Sequence, residues 1–258
     1  IANRGEIAVR IIRAARELGI DTVAVYSTAD KEALHTLLAD EAVCIGPAKS
    51  TDSYLNMNAV LSAAVLTGAE AIHPGFGFLS ENSKFATMCE EVGIKFIGPS
   101  GAVMDLMGDK INARAQMIKA KVPVIPGSDG EVHTSEEALE VAEKIGYPVM
   151  LKASAGGGGK GIRKVEKPED LVAAFESASS EAKAAFGNGA MYMERVIYPA
   201  RHIEVQILAD QQGHVVHLGE RDCSLQRNNQ KVLEESPSVA IGKTLRQQIG
   251  EAAVRAAE

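Results

Sequence analysis

The residues richest in chemistry lie between Lys152 and Arg163, where the chain reads Lys-Ala-Ser-Ala-Gly-Gly-Gly-Gly-Lys-Gly-Ile-Arg. Gly156, Gly158 and Gly161 have GxGxxG spacing, but a dinucleotide fingerprint needs a helix after the third glycine, and Ile162 to Val165 reads as a strand. A Walker A loop fails as well, because Ser154 stands at its first glycine and Gly161 at its Ser/Thr position. What remains is a glycine-rich hairpin tip flanked by Lys152, Lys160 and Arg163. Bare backbone amides approach a ligand closely and the cations supply charge, so a polyphosphate is the natural ligand. A plain surface turn is the alternative, but it need not bear the backbone entropy of four consecutive glycines.

Two other segments gather polar groups. In His202-Ile-Glu-Val-Gln206 the polar residues share one side of a strand, and Ile203, Val205 and Ile207 take the other. Glu220-Arg-Asp-Cys-Ser-Leu-Gln-Arg-Asn-Asn-Gln-Lys231 then crowds more of them into what reads as a loop. By itself this pattern fits a solvated sheet face equally well. His73-Pro-Gly-Phe-Gly-Phe-Leu-Ser-Glu-Asn82 follows a strand directly, at the place where α/β proteins put ligands. Alone, it is more simply a glycine-rich connection. Lys110 at a helix start and the i,i+4 pair Arg13 and Glu17 are unremarkable without context.

The elements that must position these residues follow from periodicity. Ile7, Ile11, Ala14 and Leu18 make one face of a helix that Gly19 ends, and Thr22–Tyr26 follows as a strand. Strands at 41–45, 69–73 and 95–97 alternate with helices at 59–66 and 83–91, which predicts a doubly wound parallel sheet over residues 1–108. Two short helices span 101–120, and 123–130 is a linker. Thr134 and Glu137 form a capping box for a helix that closes at Gly146. A strand–glycine loop–strand unit covers 148–165. A helix with Leu171, Phe175, Ala178 and Ala182 on one side comes next, and then a strand at 191–195: a small α+β subdomain. From 202 the period becomes two, with a hairpin turn at 210–213, a return strand at 214–220 and a closing helical pattern through Leu245, Ile249 and Ala252.

Composition narrows the class. With 27 Lys+Arg against 34 Asp+Glu the net charge is −7, which argues against a nucleic-acid surface. No apolar run reaches the roughly 20 residues of a membrane span, and Cys44, Cys89 and Cys223 have neither disulfide nor zinc spacing. A cytoplasmic protein is expected. The chain opens at Ile1 and stops at Glu258 within a helical pattern, so it is expected to be a fragment of a longer one.

Together the segments IANRGEIAVRI (1–11), HPGFGFLSEN (73–82), MGDK (107–110), KASAGGGGKG (152–161), YMER (192–195), RHIEVQ (201–206) and ERDCSLQRNNQK (220–231) resemble biotin carboxylases, members of the ATP-grasp family. The resemblance covers essentially the whole chain. It implies an N-terminal doubly wound domain (1–108), a helical linker (109–124), an ATP-grasp lid (125–196) and the start of the C-terminal lobe (197–258). It also implies a reaction in which ATP, with Mg2+ or Mn2+, and bicarbonate form carboxyphosphate, and the carboxyl group passes to biotin on a biotin carboxyl carrier protein. A carboxyltransferase component and a homodimer are implied partners, with no nucleic acid and no membrane.

By the same resemblance Lys110 and Lys152 would contact ATP phosphates, and Gly158 and Gly159 would close over them. Glu194, Arg195, Val196 and Ile197 would form the hinge at the adenine edge. His202 and Gln226 would reach the ribose and phosphates, Lys231 would bind bicarbonate, and Phe76 would line the approach to biotin. Arg13 and Glu17 match a helix that bacterial members use for dimer contacts. Asn229 stands where the family pattern has histidine, and Arg195 replaces the commoner lysine. The metal-binding glutamates, the general-base glutamate and the arginines for carboxyphosphate and biotin are implied to lie beyond Glu258, so no metal site is expected in these residues and the chain alone is expected not to complete carboxylation. A carbamoyl-phosphate synthase half, a pyruvate, propionyl-CoA or methylcrotonyl-CoA carboxylase, and a non-catalytic nucleotide-binding module are the alternatives, with the acetyl-CoA carboxylase subunit of a bacterium preferred.

Overall fold

A computed structural model describes residues 1–108, 110–154, 161–228 and 230–258, apart from the side chains of residues 110 and 111. The chain divides into two units, Ile1–Lys110 and Ile111–Glu258.

In the first unit, amphipathic α1 (Gly5–Glu17) buries Ala8 and Ile12. It leads into β1 (Val23–Ser27), and short α2 (Leu34–Leu38), which the sequence pattern did not reveal, leads into β2 (Glu41–Gly46). Asn56 and Asn82 start α3 (Met57–Leu66) and α4 (Ser83–Glu91) by accepting the N–H of Ala59 and Phe85, and such a cap contributes about 1 kcal/mol. The remaining strands, β3 (Ala71–Ile72) and β4 (Lys95–Phe96), are two residues each, and α5 (Gly101–Gly108) ends the unit.

All pairing here is parallel, β1 with β2 and β3 with β4, as the helix–strand alternation predicts. The order was not legible. Ile1 donates its amino group to Val23 O (2.8 Å) and Ala2 its N–H to His73 O (2.9 Å), so residues 1–3 lie between β1 and β3. Ile12, Tyr54, Leu79 and Phe85 are almost completely buried in the core between sheet and helices.

The second unit opens within α6 (Lys110–Lys119), whose first residue is the last of the first unit. The Thr134 hydroxyl accepts the Glu137 N–H (3.2 Å) and starts α7 (Ser135–Ile145). Glu137 closes the cap one residue early, on the N–H of His133 (2.8 Å). The strands β5 (Val149–Ala153), β6 (Ile162–Val165) and β7 (Met191–Arg195) form an antiparallel sheet with β5 central. The face of α8 (Leu171–Phe186) is the one its 3.6-residue period predicts: Leu171, Phe175, Ala178 and Ala182 are all buried against Val149, Leu151, Val165 and Met193. Gly187 ends it at φ 76°, a left-handed conformation that costs glycine nothing.

A second antiparallel sheet contains β8 (Ile203–Ala209), β9 (Val215–Arg227) and β10 (Gln230–Glu235), with β9 central. This corrects the sequence reading, which ended the return strand at 220 and made 220–231 a loop. The segment is the second half of β9 plus the start of β10, and because all six β10 residues are exposed, no apolar alternation marks it. Finally α9 (Lys243–Ala257) is tied to β9 through acids. Glu220, 3% exposed, accepts from Arg246 Nε (2.6 Å) and Ser238 N (3.1 Å), and Asp222 accepts from the Ser238 hydroxyl (3.0 Å). Among the described residues no helix is long and apolar enough to cross a membrane.

Candidate functional site

Two groups of site residues assemble in the second unit. On the β5–β7 sheet, Lys152 is opposite Tyr192 and Glu194 opposite Met150. Lys152 and Glu194 are thus diagonal neighbours across an antiparallel pair, within reach of long side chains. The Lys152 ammonium is ion-paired with the Glu194 carboxylate, and both are only partly exposed. Gly158, Gly159 and Lys160 lie outside the described residues, and so do Asn229 and the Lys110 side chain. Next to the glycine loop in sequence, the Ser154 hydroxyl is buried and has no partner among the described residues.

The hinge strand is paired on both sides, by β5 and by residues 126–132. Arg195 N–H donates to Pro126 O and Val196 N–H to Pro148 O (both 2.8 Å), while Gly127 bridges to Glu194. Among the described residues the Ile197 N–H has no backbone partner. The Arg195 guanidinium lies near the backbone of Gly146, where an added Cβ would sit 3.9 Å from its Cζ.

The second group occupies one face of β8–β10. Glu204 is its hub, taking the Arg221 guanidinium on Oε1 (2.7 Å from Nε, 2.6 Å from Nη2) and the Lys231 ammonium on Oε2. His202 Nε2 is 3.6 Å from the same carboxylate. The Gln226 amide nitrogen, a donor only, is 2.9 Å from His202 Nδ1, which places the imidazole proton on Nε2, facing Glu204. Arg221 reaches on to Gln206 (3.0 Å) and toward Glu234 (3.7 Å). Burial pushes the Glu204 carboxyl upward, but hydrogen bonds and charge from Lys231 and Arg221 more than reverse this and hold it at about 2. The hydrogen bond to Glu204 raises the pKa of Lys231 in turn, so the ammonium keeps its proton. Beside this face Ala200, Arg201, His202, Ile203, Ser224 and Gln226 line an open depression of about 450 Å3.

These contacts gather His202, Gln226 and Lys231 into one cluster and Lys152 with Glu194 into another. Phe76, Arg13 and Glu17 belong to the first unit, where Phe76 is 60% exposed. Arg13 and Glu17 are both exposed on α1, and among the described residues they form no ion pair with each other.

Sequence comparison supplies the context for this geometry. Residues 1–104 match the family model "Biotin carboxylase, N-terminal domain", and residues 109–258 match "Carbamoyl-phosphate synthase L chain, ATP binding domain". Biotin carboxylase 1 of Bacillus subtilis (strain 168) is 58% identical over 258 residues, covering all of this chain and 57% of that protein. The chain belongs to the biotin carboxylase family. Two solved structures share its fold. A biotin carboxylase–β-γ-ATP complex from Campylobacter jejuni has a TM-score of 0.85 and 53% identity over 99% of this chain and 57% of that one. The biotin carboxylase domain of a thermophilic 2-oxoglutarate carboxylase bound to bicarbonate has a TM-score of 0.91 and 50% identity over 99% and 56%. The chain therefore spans somewhat over half the length of these relatives.

Within a biotin carboxylase frame, sequence reasoning missed Glu204 and Arg221. Both lie in quoted motifs without a role, and the signal for Glu204 was its alternation with His202. A divalent metal does not fit the described residues. The one convergent trio, Glu204, Cys223 and Glu234, already has Lys231 and Arg221 as counter-ions, and its third ligand is a buried thiol whose pKa burial raises. Mg2+ prefers hard, anionic oxygen ligands.

Proposed function

We propose that this chain supplies the nucleotide- and bicarbonate-facing part of a biotin carboxylase, in which ATP and bicarbonate form carboxyphosphate and the carboxyl group passes to biotin on a carrier protein. The observation that carries this reading is Lys231, held protonated by Glu204 beside Arg221 and His202. Bicarbonate is a poor electrophile, and phosphorylation gives it a leaving group. That step needs fixed positive charge facing the oxygens on which negative charge develops. A lysine that keeps its proton binds an anion rather than acting as a base. In this proposal bicarbonate exchanges with Glu204 as the partner of Lys231, and Arg221 keeps Glu204 neutralised when it does.

For the nucleotide, Lys152 turns from Glu194 to the phosphates under the glycine loop that holds Gly158 and Gly159, and Lys110 joins it. The hinge presents the Ile197 N–H and the carbonyls of Arg195 and Val196 to the adenine edge, because the N–H groups of Arg195 and Val196 are already used. Glu194 positions Lys152, and His202, Gln226 and Asn229 serve the ribose and phosphates. Magnesium, when bound, neutralises phosphate charge. In this reading 1–108, 109–124, 125–196 and 197–258 act as N-terminal domain, linker, lid and the start of the C-terminal lobe. Phe76 faces biotin, Arg13 and Glu17 serve a homodimer contact, and the protein works in the cytoplasm with a biotin carboxyl carrier protein and a carboxyltransferase.

The acceptor that finally receives the carboxyl group is proposed to be acetyl-CoA. A 2-oxo acid is the second reading, favoured by the match to a 2-oxoglutarate carboxylase domain. Bicarbonate-dependent ADP release with free biotin, measured on this chain and on the full-length reading frame that carries it, tests the activity. Activity in the longer protein supports it, and turnover independent of bicarbonate overturns it.

A further inference from the structure

The loop after β3 is held by a residue the catalytic reading does not use. Asn3 is 4% exposed, and its side chain uses both of its donors and its acceptor oxygen in the first unit. Its amide nitrogen donates to Pro74 O (2.8 Å) and to Phe76 O (2.7 Å), and its amide oxygen accepts the Arg4 N–H (2.9 Å). No other side chain of this size offers two donors on one atom plus an acceptor. Aspartate has no donor, and glutamine is a methylene longer.

The held segment has an unusual backbone. Gly75 and Gly77 have φ 65°, and Phe78 has φ 43°, a region that costs a non-glycine residue on the order of 1–3 kcal/mol. A Cβ on Gly75 would sit 2.8 Å from the Asn3 amide nitrogen, so the loop packs directly on the clamp. Beyond it, Phe78 stacks on Tyr54 (5.1 Å between centroids, 13° between planes), and Arg4 lies over both rings at 5.2 and 5.5 Å. Leu79 is buried, yet Phe76 remains 60% exposed at the turn. Everything around Phe76 is fixed while its ring is presented to solvent, the arrangement of a preorganised contact.

We infer that Asn3 is a positioning residue that fixes the Phe76 loop for its partner, the bicyclic ring system of biotin. This rests on the reading of Phe76 as the biotin-side residue. The test uses the full-length reading frame and steady-state kinetics with free biotin. Asn3→Asp keeps size and acceptor but loses both donors. KM for biotin is expected to rise roughly tenfold, the effect of one to two lost hydrogen bonds, with biotin-independent ADP release unchanged within about twofold. In a Phe76→Ala background the same substitution is expected to add less than about twofold, because Asn3 acts through Phe76. Should N3D fail to fold, Asn3→Ser, which fits the space and keeps one donor, is expected to give a smaller rise of the same kind. A wild-type biotin KM in N3D or a folded N3S, or a full additional effect on top of F76A, overturns the inference. If F76A itself leaves the biotin KM unchanged, the biotin-side reading of Phe76 fails instead.

Discussion

Two regions of this chain hold functional groups in place by opposite means. The loop at 74–79 is fixed by neutral hydrogen bonds from a buried amide, an aromatic stack and a strained backbone, all inside the first unit. The β8–β10 face is fixed by ion pairs on partly exposed side chains, which salt screens. A group that must present one fixed surface is held by contacts indifferent to salt. In the proposed function, the group that exchanges one anion for another is the one held by charge.

The sharpest way to break this contrast is Lys231→Met. Losing the one ammonium that Glu204 positions is expected to lower bicarbonate-dependent turnover of the full-length protein by about 10²–10³, as loss of a fixed charge-stabilising donor does elsewhere, with little change in unfolding midpoint. Steady-state ADP release and a urea melt read the two effects separately. Retention of near wild-type turnover would remove Lys231 from the mechanism.

In the first unit Tyr54→Phe should act on stability alone. The buried hydroxyl donates to Asp30 (2.6 Å) and accepts the Ser27 N–H (2.9 Å), and burial with the neighbouring Asp30 pushes its pKa up to about 12. Its removal leaves a buried N–H unpaired, so about 2 kcal/mol is expected to be lost in urea unfolding, with no dependence on ionic strength.

Glu204→Gln sharpens the comparison from the other side. A loss of about 1 kcal/mol is expected, discounted for the partial exposure of the pairs, and it should shrink between about 0.1 M and 1 M salt as screening removes the pair in the parent too. The pH sign follows from the depressed carboxyl. The stability contributed by Glu204 is complete above its ordinary value of 4.5 and is lost as the pH falls toward about 2, so the difference between parent and E204Q should narrow across that window. The smallest expected effect is that of Arg195→Lys. This exchanges one cation for another at an exposed position, and it should change stability by less than about 0.5 kcal/mol and nucleotide affinity by less than about threefold, measured by fluorescent-nucleotide titration.

The sequence shows where periodicity is set by burial. The buried face of α8, the cap at Thr134 and the polar side of β8 could all be read from spacing, because a packed face repeats. Exposed β10 repeats nothing and was missed, and a three-residue segment such as Ile1–Asn3 is too short to carry a period. The site behaved in the same way. His202, Gln226 and Lys231 could be named from motifs, but the pairing of Lys231 with Glu204, 27 residues apart, depends on the register of three strands. Asn3 lay in a quoted motif without a role, because the carbonyls it donates to are more than 70 residues away.

That distance has a consequence for the order of events during synthesis. Residues 1–3 leave the ribosome before the strands they join, and their place between β1 and β3 is defined only when Val23 and then His73 have followed. Until residues 74 to 76 emerge, the Asn3 amide has no carbonyl to meet and the middle of the sheet stays open. Helix α1 can form early from local contacts, but closure of the first unit waits on a loop of some 70 residues, and that long-range step is expected to set its folding rate and its period of exposure to chaperones.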